Sequence, residues 1–445
     1  MPPAGDQAMI SCRLGLGCLS LSPTAQVAGV MARLVQKFGG TSVADVQRIR
    51  KAAEIAVAAA AEGHEVTTVV SAMGHTTDHL ISLAEQVTAD PNPRELDMLL
   101  MTGEQQSIAL MTMAIQSLGV PARSFTGPQA GIITEHRHGY ASIKEVRAHP
   151  VEASLKRGEI AVVAGFQGLS DNNEFTTLGR GGSDTTAVAL ASALEAERCD
   201  IYTDVNGVYT ADPRLLSEAR KLAAISYEEM LELAAGGAQV MNARSVELAM
   251  DTQVPVRVRS TFEPHDDGTL ITNFMSAPNY TICGIACDMS HASLILTSPV
   301  IEASRASLEG VSGLFTRLKE LRIQTDMVML LAREDEPSQE LAFTVERRAL
   351  PRVQAIIQAL DSELGHPKLS IDTDIARISV VGRGLTARPV VVADIFEVLF
   401  NASISVQMVA TGDIKVSALV PAKHARDAVK LIHNRFDLSG ANCGS

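Results

Sequence analysis

Tryptophan is absent from these 445 residues, and Phe and Tyr bring the aromatic share to only 4%. Platforms that stack nucleobases need such rings, so the composition argues against a single-stranded nucleic-acid binder. Basic residues are in deficit as well: 38 Lys and Arg against 51 Asp and Glu leave a formal net charge of -13. Nothing here supplies the cationic face that neutralises a phosphate backbone. Cysteine is sparse. The six cysteines, at 12, 18, 199, 283, 287 and 443, include no C-x-x-C pair and no disulfide framework, which fits a reducing cytoplasm. Cys283 and Cys287 lie in T-I-C-G-I-A-C-D-M, which reads as a strand with two partly buried thiols rather than a metal pair. No apolar run reaches the length needed to cross a bilayer, so no membrane partner is expected.

What the chain does have is core-forming material: 46% hydrophobic and 20% charged residues, over a length that predicts two or three domains. The first 30 residues mix Gly, Ser, Pro and short apolar pieces, and read as a disordered leader or a start placed too early. From Arg33 onward, short apolar runs alternate with helical stretches. Leu34–Phe38, E-V-T-T-V-V, E-I-A-V-V-A and part of C-D-I-Y-T-D are buried strands. Helices are predicted over roughly 43–62 and along R-E-L-D-M-L-L-M-T-G-E-Q-Q-S, the second broken locally at Gly103. Such alternation predicts an α/β fold with a mainly parallel sheet covered on both faces, whose ligands sit at the carboxyl ends of the strands. Turn residues accumulate near F-E-P-H-D-D-G-T-L-I-T, and beyond it strand, helix, strand, strand, helix occurs twice. That repetition predicts two small α+β modules with antiparallel sheets.

Three segments carry chemistry. Gly179-Arg180-Gly181-Gly182-Ser183-Asp184-Thr185-Thr186 runs directly into a stretch of good helix formers. Glycines ahead of a helix start admit a ligand to the N-terminal amides, and Arg180 can hold a carboxylate or phosphate in two parallel hydrogen bonds. Lys37-Phe38-Gly39-Gly40-Thr41-Ser42 places an ammonium before two glycines and two hydroxyls, which is not a Walker A order but suits triphosphate oxygens. Read alone, it is equally a lysine beside a glycine turn. Thr203-Asp204 with Tyr209-Thr210-Ala211-Asp212-Pro213-Arg214 reads either as a ligand loop or as a proline-stopped turn. Glu104 interrupts an otherwise apolar helix, and a buried carboxylate must be paired or face a polar ligand such as an ammonium group.

Together K-F-G-G-T-S, V-S-A-M-G-x-T-T-D at Val70–Asp78, T-G-E at Thr102–Glu104, G-R-G-G-S-D-T-T and T-D-V-x-G-V-Y-T-A-D-P-R resemble the aspartokinases of the amino-acid kinase family, in that family's order, from Leu34 to Leu438. The resemblance implies a three-layer αβα sandwich at 31–265, a linker at 266–280, and two ferredoxin-like ACT modules at 281–365 and 366–445. It implies ATP-dependent phosphorylation of the β-carboxylate of L-aspartate, with ATP and Mg²⁺ required and no metal held by protein ligands alone. Lys37 and Asp184 would be catalytic, Asp184 orienting Lys37. Thr41, Ser42, Ser71, Thr77, Glu104, Arg180 and Ser183 would bind aspartate, Arg180 at its α-carboxylate and Glu104 at its α-ammonium. Lys37, Phe38, Gly39, Gly40, Gly181, Gly182, Thr203, Asp204, Tyr209, Asp212, Arg214 and Gln239 would line the ATP site. A homo-oligomer through ACT pairing and an amino-acid effector at the ACT modules are implied too.

The chain departs from that pattern in places. Gln239 stands where the family often has lysine, and Asn242-Ala243 replace His-Pro. The effector loop is lengthened to V-I-E-A-S-R-A-S-L-E-G, with Glu309 before Gly310. Gln324-Thr325…Leu330-Leu331 replaces an effector-gripping Asn/Gln run, and Pro389-Val390 replaces Pro-Gly. Leucine side chains cannot hydrogen-bond the polar ends of an amino acid. Weak, lost or altered lysine and threonine feedback is therefore expected. Two other readings stay open on sequence: a kinase of glutamate, N-acetylglutamate or an aspartate analogue, and a non-catalytic ACT paralogue.

Overall fold

The structure is a computed structural model that describes residues 32–238, 240–273, 282–299, 305–332, 338–386 and 388–440. The expected leader, Gln239 and the start of the effector loop at 300–304 lie outside those residues. The N-terminal half opens with β1 (Arg33–Phe38), a 3-10 turn (Gly40–Val43), α1 (Val46–Ala61), β2 (Glu65–Val70), α2 (Thr76–Val87) and α3 (Pro93–Ser117). Next come β3 (Ala122–Phe125), β4 (Ile132–Thr134), β5 (Ile143–Val146), α4 (His149–Leu155), β6 (Ile160–Ala164), β7 (Gln167–Ser170) and β8 (Phe175–Thr177). It closes with α5 (Gly182–Ala193), β9 (Arg198–Thr203), β10 (Ala224–Ser226), α6 (Tyr227–Ala235), α7 (Ala243–Thr252), β11 (Val256–Ser260) and β12 (Thr269–Thr272).

Eight of these strands form one sheet in the order β10-β12-β11-β9-β1-β2-β6-β3, parallel except where β11 meets β12. Runs such as Ile160–Ala164, buried at every residue, can only sit in a sheet covered on both faces. The cover is helical. Ile49, Ala52 and Ala56 of α1 pack with Ile108, Met111 and Ile115 of α3 on one side. Val188 and Leu190 of α5, Met230 of α6 and Val246 of α7 fill the other. The result is the three-layer αβα sandwich, and a small sheet β5-β4-β7-β8 flanks it. The segment expected to link the domains starts inside the sandwich, because Thr269–Thr272 is β12 and pairs with β10 and β11.

The C-terminal half runs β13 (Ile282–Asp288), β14 (His291–Pro299), α8 (Arg305–Glu320), β15 (Thr325–Ala332), β16 (Ser338–Glu346), α9 (Leu350–Ala359) and β17 (Lys368–Asp372). It ends with β18 (Ile375–Gly382), α10 (Pro389–Asn401), β19 (Met408–Thr411), β20 (Lys415–Pro421) and α11 (Ala425–Arg435). Two four-stranded antiparallel sheets result, β15-β16-β14-β17 and β13-β18-β20-β19. The modules are interleaved rather than consecutive: β13 is an edge strand of the second sheet, paired with β18, and β14 to β17 form the first sheet inside that connection. Cys283 and Cys287 are partly buried on β13, as the pattern predicts.

A buried guanidinium ties the halves together. Arg377 of β18, 4% exposed, donates to the Ala235 carbonyl at the end of α6 (2.7 Å) and to Asp288 (3.1 Å), and it also pairs with Asp326 of β15. A second seam lies at Thr210. Its carbonyl accepts from the Ile285 amide (2.8 Å), and its hydroxyl shares a hydrogen bond with buried His433 of α11 (2.9 Å).

Helix α3 differs from expectation in one respect: it runs unbroken through Gly103. The glycine is there for space. A Cβ at 103 would stand 2.9 Å from the Ala72 Cβ, where α3 presses on the segment after β2. Gly→Ala inside a helix ordinarily gains about 1 kcal/mol. Overpacking a tight contact costs about 1–3 kcal/mol. Gly103→Ala is therefore expected to lower the melting temperature, read by calorimetry, where an exposed Gly→Ala in a helix would raise it.

Candidate active site

The ends of four neighbouring strands hold the polar groups. In the order β9-β1-β2-β6 they are Thr203, Lys37 with Gly39 and Gly40, Ser71, and Gly165. Adjacent strands lie about 4.8 Å apart, so this row spans roughly 15 Å. Lys37, the penultimate residue of β1, places its Nζ 2.6 Å from Asp184 Oδ1, and both side chains are nearly buried. The contact is short but off the angle of an aligned hydrogen bond, so it is held by charge. Asp184 belongs to the first turn of α5, whose start carries no side-chain cap. Gly181 turns the chain into that helix at φ 70, and first-turn amides without a side-chain cap suit an anion. Ser183, buried, lies against the Gly165 backbone at the end of β6.

Glu104 is 3% exposed on α3 beside the end of β2. Its Oε1 accepts the Ala72 amide at 3.1 Å, and Oε2 is buried with no partner. Burial pushes its carboxyl up to about 8, against the opposing pull of the Ala72 hydrogen bond. A buried acceptor of this kind suits a cationic or hydrogen-bonding ligand.

Arg180 rides on a strap, 177–180, that leads from β8 to α5. Its side chain is exposed and forms no hydrogen bond or ion pair among the described residues. The strap itself is pinned. Arg244 of α7 donates to the Leu178 carbonyl (2.9 Å) and the Ala141 carbonyl (3.3 Å), while the Leu178 amide donates to Phe166 O (2.8 Å). Phe166 follows β6 with φ 72, a conformation a bulky residue adopts only when its surroundings impose it. Asn242, which caps α7, packs on Gly181. Neither Arg244 nor Asn242 stood out in the motifs as holding this strap.

The remaining expected residues are distributed unevenly. Thr41 is exposed, and Ser71 and Thr77 are half-buried along the same rim. Ser42 is fully buried, donating to Tyr202 O (3.3 Å) and accepting from Thr261 Oγ1 (2.6 Å), so its hydroxyl is committed to the protein. The Phe38 ring is in the core, stacked on Tyr202 at 4.9 Å, which leaves only its backbone for a ligand. Thr203 donates to Asp204 (3.1 Å) after β9, and Tyr209 is half-buried on the loop beyond. Asp212 and Arg214 bind each other through two parallel contacts at 3.0 and 2.8 Å. No group of three or more His, Cys, Asp or Glu side chains fit to hold a metal occurs among the described residues.

A model of the amino acid kinase family matches residues 32–260, and an ACT domain model matches 378–436. Aspartokinase 2 of Bacillus subtilis (strain 168) is 44% identical over 410 residues, covering 92% of this chain and 98% of that protein. Among solved structures, E. coli aspartokinase III in complex with aspartate and ADP aligns with a TM-score of 0.76 at 26% identity, covering 90% of this chain and 99% of that one. The same enzyme with lysine and aspartate aligns at 0.71 and 26% identity, covering 91% and 99%.

Glu104 makes a stability prediction. Its carboxyl is raised from 4.5 to about 8 on folding, so the native state binds more protons than the unfolded chain between those values. Stability from this group is full below the lower value and is lost as pH rises to the upper one. Melting temperatures of the wild type and Glu104→Gln should diverge across that window, the wild type falling relative to the variant. Parallel curves would place the ionised carboxylate in a solvated setting.

Proposed function

The chain belongs to the amino acid kinase family, and within it to the aspartokinases; from that premise we propose that it transfers the γ-phosphoryl group of ATP to the β-carboxylate of L-aspartate, giving 4-phospho-L-aspartate and ADP. The observation that carries this reading is the Lys37–Asp184 pair at the start of α5, on a strand-end row beside which Glu104 of α3 meets the Ala72 amide. The nucleophile is the substrate's own β-carboxylate, ionised at neutral pH, so no general base is required. A carboxylate oxygen forms a bond to the γ-phosphorus as the bond to the ADP oxygen breaks. The protein aligns the two and neutralises charge in a loose transition state.

Lys37 and the α5 amides stabilise the equatorial oxygens, with Asp184 orienting Lys37. Glu104 takes the α-ammonium and Arg180 the α-carboxylate, with Ser71, Thr77, Ser183 and Thr41 around them. Thr203, Asp204 and Tyr209 line the nucleotide side, with Asp212 and Arg214 further along the loop. Mg²⁺ entering with the nucleotide would supply charge neutralisation at its phosphates.

The ACT modules support a homo-oligomer and an amino-acid effector, and a cytoplasmic enzyme of amino-acid biosynthesis accords with the lack, among the described residues, of any helix long and apolar enough to cross a membrane. Leu330 and Leu331 are about two-fifths exposed on edge strand β15 and offer no hydrogen bond to an effector's polar ends. Lysine and threonine feedback is accordingly weak, lost or redirected in this chain.

Lys37→Ala is expected to lower kcat by about two to three orders of magnitude with aspartate affinity nearly unchanged. Arg180→Ala should mainly raise KM for aspartate. A hydroxamate assay for the acyl phosphate reads both, and wild-type kcat in Lys37→Ala would remove that residue from the mechanism. In the same assay, submillimolar lysine plus threonine should leave the activity near its uninhibited value; strong inhibition would show an effector site built from other residues.

A further inference from the structure

One carboxylate outside the motifs is better supplied with hydrogen bonds than any group in them. Asp97, 1% exposed on α3, accepts from Thr177 Oγ1 (2.6 Å), the Thr177 amide (3.2 Å) and the Gly139 amide (3.1 Å to each oxygen), and contacts His138 Nδ1 (3.0 Å). Thr177 begins the strap that carries Arg180. Gly139 belongs to a loop whose Tyr140 ring packs on Gly179: a Cβ there would come within 2.6 Å of it. The loop and strap are also joined directly, the Ala141 amide donating to Thr177 O (2.9 Å). Asp97 therefore fixes both pieces of backbone that determine where Arg180 stands, and among the described residues Arg180 has no side-chain partner to fix it.

Glu104 sits on the same helix, seven residues further on. Seven residues are close to two turns, so both carboxylates fall on one face, about 10 Å apart along the axis. We propose that Asp97 is a positioning residue for substrate selection: through it, α3 sets the distance between Arg180 and Glu104, and hence between the two sites that grip the amino acid's α-carboxylate and α-ammonium. The inference rests on the roles given above to Arg180 and Glu104. A carboxylate is suited to the position because two of its partners, the Thr177 and Gly139 backbone amides, can only donate, and the Gly139 amide meets both of its oxygens. In either orientation an asparagine of the same shape would turn its NH₂ toward the Gly139 N–H.

The test is a double-mutant cycle on the full chain. Asp97→Asn should raise KM for aspartate about tenfold, the loss of a hydrogen bond to a charged group, while KM for ATP changes by less than about twofold. In the Arg180→Ala background it should add little, because both changes act on one interaction. Multiplicative effects, or equal rises in both KM values, would overturn the inference while leaving the Arg180 assignment intact. If Arg180→Ala alone leaves KM for aspartate unchanged, the assignment falls and the inference with it. Thr177→Val, which deletes only the hydroxyl donor to Asp97, repeats the cycle should Asp97→Asn fail to fold, with a rise of about threefold expected.

Discussion

A lysine ammonium and an aspartate carboxylate, 2.6 Å apart and nearly dry, are the constraint on which the rest of this enzyme depends. Removing either partner would strand a charge where water scarcely reaches, a penalty of several kcal/mol. Meeting that requirement brings the end of β1 against the first turn of α5, and everything else at the site is measured from those two points. Under the transfer proposed above, a phosphoryl oxygen beside the α5 amides would meet a cation already placed and already desolvated, leaving little reorganisation for the chemical step.

Much of this arrangement is legible in the sequence because it is a matter of local backbone. Gly181 with its positive φ, the helix start at Gly182 and the buried strand Ile160–Ala164 each announce themselves within a few residues. What is not legible depends on distant partners. Asp97 looks like one more polar residue in the first turns of a helix, and its ligands lie 41 to 80 positions away. Arg244 is likewise silent, since the carbonyls it holds are 66 and 103 residues distant. Gly103 misleads in the opposite direction. Sequence rules read it as a weak point in the helix, whereas its missing side chain is what lets α3 close on Ala72. Phe38 shares a motif with Lys37 yet faces the core, because side chains alternate along a strand and only every second one can reach the same face, while Ser42, in the 3-10 turn beyond the strand, is turned inward onto Tyr202 and Thr261.

The regulatory half meets the kinase half through buried polar groups as well as apolar packing. Arg377 reads three elements at once: the carbonyl end of α6, the end of β13 and the bulged start of β15. Displacing any one leaves part of a buried guanidinium unsatisfied, so the three are expected to move as a set. Thr210 sits in the loop assigned to the nucleotide and bonds to both β13 and α11, so motion of the second module reaches that loop without an intermediary.

The same strand β13 gives the chain an unusual accounting of parts. The outer sheet begins before the inner module and finishes after it, so no single uninterrupted piece of polypeptide contains that sheet without also containing its neighbour. A gene fragment starting at β18 would encode a sheet open along one edge, its hydrogen-bonding groups exposed to whichever strand arrives first. Recombination that transplants the outer module whole must carry the inner one along as cargo.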